Sequence, residues 1–139
     1  MRRSLVVLAL CTVLIVTSGT ASVAAGLTIA ARRAVLTGAG ASVTLTGTYS
    51  CGPFTGGVPD RGVVDFTIRQ SLAGQTVTGF GYLEPAACDG VSHPFSVDLP
   101  SVSELRFRRG EALWSASGYV EGDGGLQTVS VPPTTIRIR

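Results

Sequence analysis

From Ser42 to Cys51 the chain alternates strictly. Val43, Leu45, Gly47, Tyr49 and Cys51 fall on one side of an extended backbone, and Ser42, Thr44, Thr46, Thr48 and Ser50 fall on the other. A period of two with one apolar and one hydroxyl face predicts a half-buried β-strand, and threonine suits it because a β-branched side chain fits the pleat. The hydroxyls need no role beyond keeping an exposed face polar.

The same period recurs along the chain. Val64, Phe66 and Ile68 alternate with Asp65, Thr67 and Arg69. Gln75–Leu83 is a further strand, in which Gly79 and Gly81 mark a bulge or a close backbone approach. Phe95, Val97 and Leu99 alternate with Ser96 and Asp98, and Leu105 and Phe107 with Arg106 and Arg108. Ala112, Trp114, Ala116, Gly118 and Val120 form one face of a long run, and Ile136 and Ile138 one face of the last. A weaker strand covers Leu27–Leu36, broken at Arg32-Arg33. Turn signals separate these runs: Gly38-Ala39-Gly40, the loop from Gly52 to Gly62, Ala73-Gly74, Asp89-Gly90, Arg109-Gly110 and Gly122–Gly125. Pro132-Pro133 is expected to break the chain before the last strand. No helix with caps is found. The fold class expected is all-β, an antiparallel immunoglobulin-like β-sandwich of about seven to nine short strands, with a small barrel as the alternative.

The beginning of the chain changes the picture of where this domain works. Arg2 and Arg3 precede an apolar run, Leu5–Val16, and a stretch of small residues ending Val23-Ala24-Ala25. This is the pattern of a secretory signal peptide over residues 1–25, cleaved to leave one domain over 26–139. The apolar run is short for a transmembrane helix, which needs about 20 residues. Cys11 lies within it and would leave with the signal. Cleavage also removes the excess charge. The whole chain is formally +2, but from Gly26 onward arginines and acids balance, so global attraction to nucleic acid loses its support. Every cation is arginine.

Cys51 and Cys88 remain, and an even pair in an exported chain reads as one disulfide. It would tie the end of the Ser42–Cys51 strand to the loop after Gln75–Leu83. The loop it closes, of about 38 residues, is worth roughly 4 kcal/mol on the chain-entropy account. A zinc or redox pair fits poorly, because the spacing is not CxxC.

Thr46-Gly47-Thr48-Tyr49-Ser50-Cys51 and Cys88-Asp89-Gly90-Val91-Ser92-His93, with Phe107 and Gly110-Glu111-Ala112 further on, resemble a family of small exported actinobacterial proteins of unknown function. The resemblance covers most of residues 26–139 and implies a signal peptide, one disulfide and a β-sandwich. It implies no activity and no site residues.

Candidate chemistry is sparse. His93 is the sole histidine, and a triad would have to use it with Asp89 or Asp98, yet no GxSxG elbow presents a serine. The plainer reading has His93 open a strand and hydrogen-bond the Cys88–Gly90 turn. The carboxylates Glu84, Asp89, Glu111, Glu121 and Asp123 sit in turns or on polar faces, with no pair singled out for glycosidic chemistry. Glu121-Gly122-Asp123-Gly124-Gly125 offers too few oxygens for calcium and reads as a hairpin turn. No catalytic residue, metal or cofactor is expected. Arg106, Arg108, Arg137 and Arg139 would form a basic stripe for an anionic ligand if their strands are neighbours, or else a solvated face. Phe54, Phe80, Tyr82 and Tyr119 offer aromatic surface for sugars or partners unless the core takes them. The function expected is a secreted, non-enzymatic binding or structural accessory, released or held at the envelope. A cell-wall or carbohydrate-binding module is the alternative, and a small hydrolase around His93 the second. The partners expected are an envelope polymer or an extracellular protein, without nucleic acid or membrane.

Overall fold

The computed structural model describes residues 26–139; the expected signal peptide, with Cys11, lies outside the described residues. The described chain is all-β. Its strands are β1 (Thr28–Thr37), β2 (Ser42–Ser50), β3 (Arg61–Leu72), β4 (Gln75–Leu83), β5 (His93–Pro100), β6 (Gly110–Gly122) and β7 (Gly125–Ile138). All seven join one hydrogen-bonded sheet in the order β4-β3-β6-β7-β1-β2-β5. Among the described residues no helix is long and apolar enough to cross a membrane.

The sheet is mixed, which corrects the antiparallel expectation. β1 and β7 both finish at the same end and pair in parallel through Ala34 and Ile138. Leu36 N donates to Arg139 O and Arg139 N to Ala34 O, each at 3.0 Å. The sheet also curls almost shut. Its two outer strands meet where Gly79 bridges Ser101 and Val102 N donates to Thr78 O at 2.9 Å. The two glycines of β4 mark this close approach: a Cβ at Gly81 would lie 2.5 Å from Asp98 O, and one at Gly79 2.8 Å from Leu99 O. The result is a near-barrel around one core.

The inward rows are those the alternation predicts. Val43, Leu45 and Tyr49 of β2, Val64, Phe66 and Ile68 of β3, and Ala112, Trp114, Ala116 and Val120 of β6 are all buried. Phe66 and Phe95 meet across the interior at 5.1 Å between ring centroids. The outward hydroxyls of β2 knit to their neighbours, Ser50 Oγ to Thr28 Oγ1 at 2.6 Å and Thr44 to Asp98.

Three local expectations change. β1 is unbroken at Arg32-Arg33; its register slips between Ala31 and Arg33, so Arg32 is the extra residue of a bulge. Pro132-Pro133 does not interrupt β7 but sits opposite Ser115 at a second bulge, between the pairs Trp114–Thr134 and Ala116–Val131. There the missing N–H groups break no ladder. Leu105–Arg108 is extended loop rather than strand. Its one regular backbone tie is Phe107 N to Gly40 O at 2.9 Å, and burial of Phe107 produces the alternation.

Candidate ligand-binding surfaces

Odd-numbered strands finish, and even-numbered strands begin, at the same end of the barrel. The two ends therefore have different chemistry, and each is set by its own loops.

At the end where β2 finishes, Cys51 and Cys88 form the disulfide, with a Cα–Cα distance of 4.5 Å. It joins the exit of β2 to the segment after β4, as the spacing predicts. Backbone bonds surround it: Phe54 N to Cys88 O at 2.9 Å, Cys88 N to Gly57 O at 2.8 Å and Gly90 N to Cys51 O at 2.8 Å. Gln127 of β7 clasps the neighbouring Gly52, accepting from its N–H at 2.8 Å and donating to its carbonyl at 3.2 Å. Phe54 is buried here against Gly122 and Gly124, so it offers no free aromatic surface.

His93 opens β5, and its Nε2 lies 2.8 Å from Asp89 Oδ1. The imidazole also packs on Tyr49, 5.7 Å between centroids. Val91 N donates to the same carboxylate oxygen at 3.0 Å. The two bonds to Asp89 Oδ1 clasp His93 to the turn that follows Cys88. The hydrogen bond from His93, and then that from Val91, hold the Asp89 carboxyl below its ordinary value. A carboxyl depressed in the folded state adds stability that is present above the unfolded value, near 3.9, and is lost as pH falls through the lower folded value. Unfolding in urea at pH 6 and pH 3 is therefore expected to show a smaller difference for Asp89→Asn than for the parent protein; an unchanged difference would remove the clasp from the account.

The acids at this end are held locally. Glu121 pairs with Arg61, and Asp123 accepts from Thr55 N at 3.0 and 3.2 Å. Glu121 and Asp123 thus serve the β6–β7 hairpin and the preceding loop rather than a gathered cation site.

The opposite end is basic. Arg106, Arg108 and Arg109 lie in the β5–β6 loop, Arg137 and Arg139 at the finish of β7, and Arg33 on the second half of β1. The 105–108 segment and β7 are not paired strands, so Arg106, Arg108, Arg137 and Arg139 do not make one stripe. Arg106 and Arg108 line a groove of about 300 Å³ with Leu72 and Gln75 of the β3–β4 hairpin. Arg137 and Arg139 line a larger groove, about 600 Å³, together with Arg33 and Arg109. Arg108 and Arg109 thus turn to opposite sides of one loop. Glu111 sits across the ladder from Arg137, yet the ion pairs among the described residues are only Arg61–Glu121 and His93–Asp89.

The loop is pinned by Gln70, a polar side chain only 2% exposed. Its Oε1 accepts from Arg108 N at 2.9 Å, and its Nε2 donates to Arg108 O at 2.8 Å and Glu111 O at 3.3 Å. Arg106 adds a tie to Ala39 O at 3.1 Å. Sequence reasoning missed Gln70, Arg33 and Arg109. Gln70 continues the inward row Val64, Phe66, Ile68 and was visible as a polar residue in an apolar period. Arg33 and Arg109 are brought together only by the parallel closure of β1 and β7.

The barrel wall carries the remaining aromatics. Phe80 and Tyr82 point outward from β4, 46% and 62% exposed, while Tyr119 is half-buried. No family model, curated protein or solved structure matches the chain, and the family resemblance carried by Thr46–Cys51 and Cys88–His93 has no counterpart in those comparisons.

Proposed function

We propose that this protein is an exported, non-enzymatic binding module that docks on an anionic polymer of the cell envelope through its arginine end. One observation carries the reading: Arg33, Arg109, Arg137 and Arg139 share a groove without an acidic partner within ion-pair distance among the described residues. Residues 26–139 are formally neutral, so the attraction comes from segregation of charge. Most arginines lie at one end, with Glu104 and Glu111 among them, while Asp60, Glu84, Asp89, Glu121 and Asp123 lie at the other with Arg61. Such a molecule is oriented by an anionic surface even without net charge. Arginine suits the role because its planar fork meets phosphate or carboxylate with two hydrogen bonds. The disulfide fits an oxidising compartment. The absence of a nucleophile elbow in the sequence supports the non-enzymatic part of the reading.

The test is retention of oxidised protein on purified cell wall from the producing organism. Replacing Arg33, Arg109, Arg137 and Arg139 together by serine is expected to weaken retention about 30-fold, at ~0.5 kcal/mol for each exposed charge. Arg61→Ser, at the opposite end, is expected to leave retention unchanged. A loss per removed charge at Arg61 equal to that in the quadruple variant would point to net charge alone, and no loss in the quadruple variant would sink the reading.

A further inference from the structure

The barrel wall holds a second surface with a different chemistry. Phe80 stands between two grooves. One, about 440 Å³, runs along the seam of β4 and β5 and is walled by Tyr82, Ser96, Asp98 and Pro100. The other, about 360 Å³, lies over β3, β6 and β7 and is walled by Asp65, Thr67, Ser115 and Ser117 up to Pro132 and Pro133. The cross-strand register lines these groups up. Tyr82 pairs with Asp65, which pairs with Ser117; Phe80 pairs with Thr67, which pairs with Ser115. Two aromatic rings, two residues or about 7 Å apart along β4, thus head two parallel rows of short hydroxyl and carboxylate groups.

This chemistry narrows the occupant. The walls of both grooves carry Asp65 and Asp98 and no arginine, so an anion lying in them finds no cationic partner. A wholly apolar partner would bury the hydroxyls of Thr67, Ser115 and Ser117 without hydrogen-bond partners, at a cost that opposes docking. A neutral ligand with apolar faces to lie on the rings, and hydroxyls at its rim to meet the serines, the threonine and Asp65, matches these groups. A pyranose chain has those properties. We propose that Phe80 and Tyr82, with Asp65, Thr67, Ser115 and Ser117, form a platform for a neutral glycan chain, separate from the anion-binding end. The inference rests on a different face and does not depend on the arginine reading.

The two sites are distinguished by salt and by variant. Oxidised protein is incubated with insoluble chitin and with cellulose, at low and at high salt. Retention on at least one of them, equal at both salts, is expected, and Phe80→Ser with Tyr82→Ser is expected to lower it about tenfold or more, as loss of two aromatic anchors does. Both rings are exposed, so the double variant should keep the parent's unfolding midpoint. The quadruple arginine variant should bind these glycans like the parent. Failure to bind either glycan, or binding by the double serine variant equal to the parent's, would overturn the proposal. Self-association abolished by the same double variant, without glycan binding, would overturn it in favour of a contact between copies of the chain.

Discussion

Reduction of the Cys51–Cys88 disulfide is expected to lower the free energy of unfolding by about 4 kcal/mol. The bond closes a loop with a sequence separation of 37. That loop contains all of β3 and β4, so the reduced unfolded chain recovers a large conformational freedom. A single domain has only about 5–15 kcal/mol in total, so the bond carries a large share of this protein's margin. The folded state should survive reduction in outline, because the surrounding hydrogen bonds from Phe54, Cys88 and Gly90 do not involve sulfur. The local effect should concentrate in the loops that follow β2 and β4. Guanidinium unfolding of oxidised protein and of Cys51→Ala with Cys88→Ala checks this. A difference under about 1 kcal/mol would mean that the denatured chain is already compact around the two cysteines.

The second large effect is at Gln70. Replacement by leucine keeps the volume roughly constant but removes three hydrogen bonds, two to the N–H and carbonyl of Arg108 in the arginine loop and one to the carbonyl of Glu111 at the start of β6. Stranded buried backbone groups cost about 1–3 kcal/mol each, so Gln70→Leu is expected to destabilise by about 3 kcal/mol. The loop that sends Arg108 to one groove and Arg109 to the other loses its anchor, so retention on anionic polymer should weaken although no charge is removed. Urea unfolding and the wall retention assay, performed on the same variant below its unfolding transition, measure both consequences. Full stability with weakened retention would make Gln70 a positioning residue only. Full stability with full retention would show that the loop is held by the Phe107 and Arg106 contacts alone.

The strands were legible in the sequence because a period of two survives wherever one face is buried. The rows of β2, β3 and β6 show it plainly, and the disulfide followed from the even pair Cys51 and Cys88, one after β2 and one after β4. What could not be read was closure. Pairing of β1 with β7 depends on a contact between Ala34 and Ile138 at opposite ends of the described chain, and nothing local marks it. The same gap hid the arginine groove, since Arg33 looked like a strand interruption and Arg109 like part of a turn. Local rules misled at Pro132-Pro133, where the bulge opposite Ser115 absorbs the prolines, and at Leu105–Phe107, where packing of a loop residue imitates a strand. The glycines of β4 show the converse. Gly79 and Gly81 pointed to close approach, and the neighbouring strand β5 supplies it. Orientation of Phe80 and Tyr82 followed only once Val77 was seen to face inward.

The most direct test of the arginine end is the salt dependence of binding to a soluble anionic wall polymer, followed for the parent protein and for the variant with serine at Arg33, Arg109, Arg137 and Arg139. Screening shortens from about 10 Å at 0.1 M salt to about 3 Å at 1 M. The parent is expected to lose affinity steeply over that range, while the variant starts weak and changes little. Superimposable curves for the two proteins would contradict the account, because residues 26–139 carry no net charge and the proposal places their affinity for an anion in these four arginines.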